Sequence, residues 1–65
     1  MYYFTLLEII NEVKKEIDGQ SLMELFIERY GSGNKINMNK ALKKLRKEGK
    51  VKYRRVGRKI YYSKK

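Results

Sequence analysis

At Gly49 the spacing of the apolar residues changes, and this change constrains the fold more than any other feature of the chain. Before it, apolar residues recur at helical intervals; after it they alternate, as in half-buried strands. Val51-Lys52-Tyr53-Arg54-Arg55 and Arg58-Lys59-Ile60-Tyr61-Tyr62 flank Val56-Gly57, which reads as the turn of a hairpin. A two-residue turn there pairs Arg55 with Arg58, Tyr53 with Ile60 and Val51 with Tyr62. Apolar residues then meet on one face, where they can cover a core. Lys52, Arg54, Lys59 and Tyr61 share the other face, which is left for a ligand.

Upstream of Gly49 the pattern predicts three helices. Thr5 and Glu8 have capping-box spacing, which predicts a first helix starting at Thr5, with Leu6, Ile9, Ile10, Val13 and Ile17 inward and Asp18-Gly19 ending it. Ser21 and Glu24 repeat that spacing and predict a second helix to about Tyr30, burying Leu22, Leu25, Phe26 and Tyr30. Gly31-Ser32-Gly33-Asn34 reads as a turn with both glycines at positive φ and Asn34 as the next N-cap. The third helix turns Met38, Ala41, Leu42 and Leu45 inward and ends at Gly49. Gly19-Gln20-Ser21 is well placed for a short strand against the hairpin, and Ser63-Lys64-Lys65 is expected to fray.

A chain of 65 residues holds one small core, here expected to span residues 1–65 as a single domain. It has no cysteine and no histidine, so disulfides, thiolate nucleophiles and the usual zinc ligand sets are excluded, and no cofactor or metal is expected. No apolar run reaches the roughly 18 residues of a membrane span. Met1–Phe4 lacks the basic flank and cleavage site of a signal peptide, and the expected location is intracellular. That apolar segment reads as packing on its own domain, with a homodimer contact as the alternative.

Charge is divided unevenly along the chain. Residues 1–34 carry three basic residues against six acidic, a net of −3, whereas residues 35–65 carry fourteen against Glu48 alone, a net of +13. An uneven division of this kind predicts one strongly positive face, and a polyanion as the partner.

The order of helices followed by a hairpin is the pattern of the winged helix-turn-helix, an α+β fold, and in detail it resembles the globular domain of linker histones. The similarity lies in Gln20-Ser21-Leu22 through Tyr30, like that family's second helix, and in Ala41-Leu42-Lys43-Lys44-Leu45 followed by Gly49, like its third. Prokaryotic and viral winged-helix regulators share these short patterns. The resemblance implies duplex contacts by Lys43 and Lys44 on the third helix and by Arg58 and Lys59 in the wing. Two departures limit the carry-over: Arg55-Val56-Gly57-Arg58 is a shorter wing than the family's, and Lys40 stands where the family has an apolar residue.

Double-stranded DNA is therefore the expected partner. Asn37, Asn39, Lys40, Lys43, Lys44 and Lys47 form the exposed face expected in the major groove, and the two asparagines are the candidates for adenine edges. Lys52, Arg54, Arg55, Arg58 and Lys59 form the wing contact on backbone or minor groove. Bland readings stand beside these: a merely solvated face for the basic third helix, capping or plain exposure for the asparagines, and core cover in place of base stacking for Tyr53 and Tyr62. The role is either a dimeric transcriptional regulator or an architectural protein with little sequence preference. The rival functions are a protein-interaction module for an acidic partner, and RNA binding. No catalysis and no small-molecule ligand are expected, because no nucleophile, base or phosphate loop is evident.

Overall fold

The computed structural model describes residues 2–65. The elements run α1 (Tyr2–Glu12), β1 (Ile17–Asp18), α2 (Gly19–Tyr30), α3 (Lys35–Lys47), β2 (Val51–Val56) and β3 (Lys59–Lys64). The strands form one antiparallel sheet in the order β1-β3-β2. The chain is thus a small α+β domain of three helices and a three-stranded sheet, a layout compatible with a winged helix.

The helix expected from Thr5 begins at Tyr2 and ends at Glu12, so Thr5 and Glu8 lie inside it and form no capping box. Its start is held by tertiary contacts. The Tyr2 ring stacks on Phe26 at 4.6 Å between centroids, and the Tyr2 hydroxyl accepts the Asn34 backbone N–H at 2.8 Å. Ile17, expected as the last inward residue of that helix, lies instead in β1, opposite Tyr62. The short strand therefore precedes Gly19-Gln20-Ser21, which belongs to α2. Asp18 caps α2 by accepting the Ser21 backbone N–H at 3.3 Å, and it replaces the expected Ser21–Glu24 box.

Within α2, Leu22 and Phe26 are buried as expected, but Leu25 and Tyr30 are exposed. Gly31 takes a left-handed φ of 95° and donates its N–H to the Ile27 carbonyl at 2.7 Å. Gly33 does not share that positive φ. Its requirement is space, because a Cβ there would lie 2.9 Å from Ile27 Cγ1 and 3.0 Å from Met23 Sδ. Asn34 caps α3 as expected, its side chain accepting the Asn37 N–H at 3.1 Å. At the other end Gly49 has φ 72°; its N–H reaches Arg46 O at 3.1 Å and that of Lys50 reaches Leu45 O at 2.9 Å, a Schellman exit into β2.

The hairpin differs from expectation by a slip of two residues. Gly57-Arg58 forms the turn in place of Val56-Gly57, and the pairs are Val56 with Lys59, Arg55 with Ile60, Tyr53 with Tyr62 and Val51 with Lys64. Gly57 at φ 61°, followed by a residue at negative φ, is a type II′ turn, whose twist suits a two-residue hairpin. Ser63 and Lys64, expected to fray, pair with Lys52 and Val51.

The core is continuous. Leu6, Ile9 and Ile10 of α1 meet Leu22 and Phe26 of α2, Met38, Ala41, Leu42 and Leu45 of α3, and Ile17, Val51 and Tyr62 of the sheet. Tyr53, expected as a core cover, is 55% exposed, and the Arg46 guanidinium lies 4.8 Å from its ring centroid. In the apolar N-terminal segment Tyr2 and Tyr3 pack on the core and Phe4 is exposed; Met1 lies outside the described residues.

Candidate nucleic-acid interface

The residues of α3 fall on two sides. Met38, Ala41, Leu42 and Leu45 are buried; opposite them, at helical spacing, Ile36, Lys40, Lys43 and Lys47 form an exposed row. Asn39 and Arg46 flank that row toward the hairpin, where Arg46 covers Tyr53. Asn37 and Lys44 flank it toward α1, where the Lys44 ammonium lies 5.4 Å from the Tyr3 ring centroid. The asparagines expected to lead base contact thus sit beside the outermost row, and Ile36, which no charge or motif marks, sits within it.

Among the described residues no ion pair involves α3. Glu8, Glu12 and Glu48 are held by partners outside α3. Arg29 holds Glu8 at 2.8 Å and Glu12 at 2.6 Å, joining α2 to α1. The Tyr3 hydroxyl donates to Glu48, which holds the phenol above its ordinary pKa. The lysines of α3 are close to one another at i, i+3 and i, i+4, as in Lys40–Lys43, Lys40–Lys44 and Lys43–Lys47. Like charges at that spacing disfavour a helix by about 0.2–0.5 kcal/mol a pair. Folding gains nothing from this row, and an external anion would relieve it.

The hairpin separates the expected wing residues onto two faces. Lys52, Arg54, Lys59 and Tyr61 share the sheet face turned away from the helices, as the slip of two preserves their side. Arg54 is not free there. It clamps Glu16 through both Nε and Nη2, the latter at 2.7 Å, and lies over the Tyr61 ring at 5.1 Å. Arg55 is on the helix-facing side and bonds the Gly57 carbonyl at 3.3 Å, while Arg58 occupies the turn. The structure therefore aligns Lys40, Lys43 and Lys47 on α3, sets Arg55 and Arg58 at the hairpin tip, and turns Lys52 to another surface; Lys59 shares that sheet face but also borders a groove beside the start of α3.

Between the N-terminal ends of α2 and α3 and the start of β3 lies a groove of about 460 Å³. Met23, Met38, Ile60 and Tyr62 contribute its apolar lining; Lys35, Arg58 and Lys59 stand against Asp18 and Glu24. This near balance makes the groove less favourable to an anion than the open face of α3. Among the described residues no group of three or more acidic side chains could hold a metal ion, and no helix is long and apolar enough to cross a membrane.

Three carboxyls have lowered pKa values: Glu12 through its bond to Arg29, Glu16 through its bond to Arg54, and Asp18 through Ser21. A depressed folded-state pKa contributes stability above the unfolded value of about 3.9–4.3, and that stability is lost as pH falls through the folded value. The urea midpoint is therefore expected to fall as the pH drops from about 5 through and below that unfolded range, and to fall less at high salt, because Glu12 and Glu16 are exposed and screened. A midpoint constant across that interval would show that the three bonds do not survive in solution.

No protein-family model, curated protein or solved structure matches the chain. The likeness to linker histones consequently stands on the short stretches quoted above.

Proposed function

We propose that this chain is a winged-helix DNA-binding domain that lays the outer row of α3 in the major groove, with the hairpin tip against the backbone. The observation that carries this reading is the unpaired cationic face of α3, which holds six lysines and arginines and no carboxylate between Lys35 and Lys47. At 1.5 Å per residue such a helix is about 20 Å long, and its width of about 10–12 Å suits a major groove about 12 Å wide. Arginine at the tip favours phosphate forks and narrow minor grooves, which supports Arg55 and Arg58 as the second contact.

Lysine heads are flexible point charges that position a protein more than they discriminate bases. The lysine-dominated row accordingly favours an architectural role over a sequence-specific regulator. The linker-histone resemblance agrees in assigning Lys43 and Lys44 to the duplex, but Lys44 is turned toward Tyr3, so Lys43 is the stronger of the two.

Titration of a random-sequence duplex at several salt concentrations tests the reading. A third to a half of the fourteen basic residues of the second half in contact with phosphate gives a log–log salt slope of about −4 to −6. Double-stranded RNA should compete weakly, because its deep, narrow major groove does not admit a helix. Salt-insensitive or absent duplex binding would sink the proposal, and equal affinity for both duplexes would sink groove docking.

A further inference from the structure

We propose that Ile36 is a specificity-determining residue that contacts the C5-methyl group of thymine, making A·T-containing duplex the preferred ligand of this face. The inference rests on the docking of α3 argued above.

Ile36 is 66% exposed, more than any other large apolar side chain among the described residues. A single exposed apolar residue is ordinary on a protein surface. What distinguishes Ile36 is its position. It is the second residue of α3, directly after the Asn34 cap and Lys35, and it lies in line with Lys40, Lys43 and Lys47. It has no part in the core cluster, and the buried stripe of its helix lies on the opposite side. Its β-branched side chain is also a poorer helix former than the alanine or lysine that a solvated position would accept. Nothing in the folding of the domain calls for isoleucine there.

Docking on DNA does call for it. The first turn of a recognition helix is the part that approaches base edges. Of the groups those edges present in the major groove, the thymine methyl is the apolar one, and it is matched by an apolar side chain. Phosphates offer Ile36 nothing, whereas its neighbours Lys35, Lys40 and Lys43 are suited to them. Asn39, three residues on and adjacent on the helix surface, carries the amide that can bond N6 and N7 of adenine. An isoleucine beside an asparagine therefore presents complementary groups to the two halves of an A·T pair.

The test compares two duplexes of one sequence, the first with thymine and the second with deoxyuridine throughout, so that they differ only in the methyl groups. Burial of one methyl is expected to favour the thymine duplex about fourfold, with the same salt slope for both. Ile36→Ala should abolish that preference while keeping the slope and the fold, and Ile36→Val should retain part of it. Equal affinity for the two duplexes with a steep salt slope overturns the role of Ile36 and leaves groove docking standing. A preference that persists undiminished in Ile36→Ala also overturns it, since another group then reads the methyl or the altered duplex shape. Absence of salt-dependent binding to either duplex overturns the docking reading, and the inference with it.

Discussion

Phe26→Ala is expected to leave the domain largely unfolded at room temperature, with the cooperative thermal and urea transitions lost. Phe26 is fully buried, and its ring contacts those of Tyr2 at 4.6 Å and Tyr30 at 5.2 Å, which are themselves 6.3 Å apart. Truncating a buried phenylalanine costs about 3–5 kcal/mol, part in lost transfer energy and part in the cavity left behind. A single core in a domain below about 70–80 residues rarely supplies more than about 3–5 kcal/mol in total, and no disulfide supplements it here. The cost therefore matches the whole stability. Removing the ring also takes away the surface on which Tyr2 stacks, and with it an anchor of the start of α1. Circular dichroism through a urea titration measures the effect, with Leu25→Ala as the comparison. Leu25 is 38% exposed, and its loss should shift the midpoint only slightly. A Phe26→Ala protein that keeps a sharp transition near the parental midpoint would mean that the helices are held together mainly by contacts other than this aromatic stack.

That stack also explains where local reading of the sequence fails. Thr5-x-x-Glu8 has the spacing of a helix start, yet α1 begins at Tyr2, because Tyr2 and Tyr3 gain contacts with Phe26 and Lys44 from distant parts of the chain. Ile17 fits the helical period of Ile10 and Val13 equally well, and only its pairing with Tyr62 makes it a strand residue. The hairpin shows a different limit. Its period is two, so a slip of two residues leaves every side chain on its face, and alternation cannot detect it. The turn decides. Gly57 must be the first of the two turn residues to place its positive φ in a type II′ turn, and that choice moves Tyr53 opposite Tyr62.

The inward stripe of α3, the Asn34 cap and the exit at Gly49 were all legible, because each depends on residues within one or two turns of helix. The lysine face followed from them as the remainder. The candidate site beyond α3 was less legible. Arg54 is separated by 38 residues from Glu16, and nothing local to either reveals that β1–β3 pairing brings them together. A count of cations along the sequence therefore overstates the free charge of the hairpin. Ile36 could have been found by asking which apolar residue lies opposite the buried stripe.

The division of cations between α3 and the outer sheet face leads to the second large effect. Replacing Lys40, Lys43 and Lys47 together with alanine is expected to weaken duplex binding by about 10²–10³ at about 0.1 M salt and to make the log–log slope shallower by about 2.7. Both figures follow from losing three phosphate contacts at about 0.9 each. The fold should survive, since all three side chains are exposed and alanine is the best helix former; removal of their mutual repulsion works in the same direction. A charge-matched control replaces Lys14, Lys15 and Lys52, all exposed and outside α3, the last on the sheet face turned away from the helices. It lowers the net charge by the same three units and so reproduces the long-range part of the effect. The difference between the two triple variants isolates direct contact, and the α3 variant should lose at least tenfold more affinity. Equal losses would mean that the duplex responds to overall charge and is not docked on α3. A larger loss in the control would move the binding surface away from α3, to the side that carries Lys14, Lys15 and Lys52, where Arg54 is already held by Glu16.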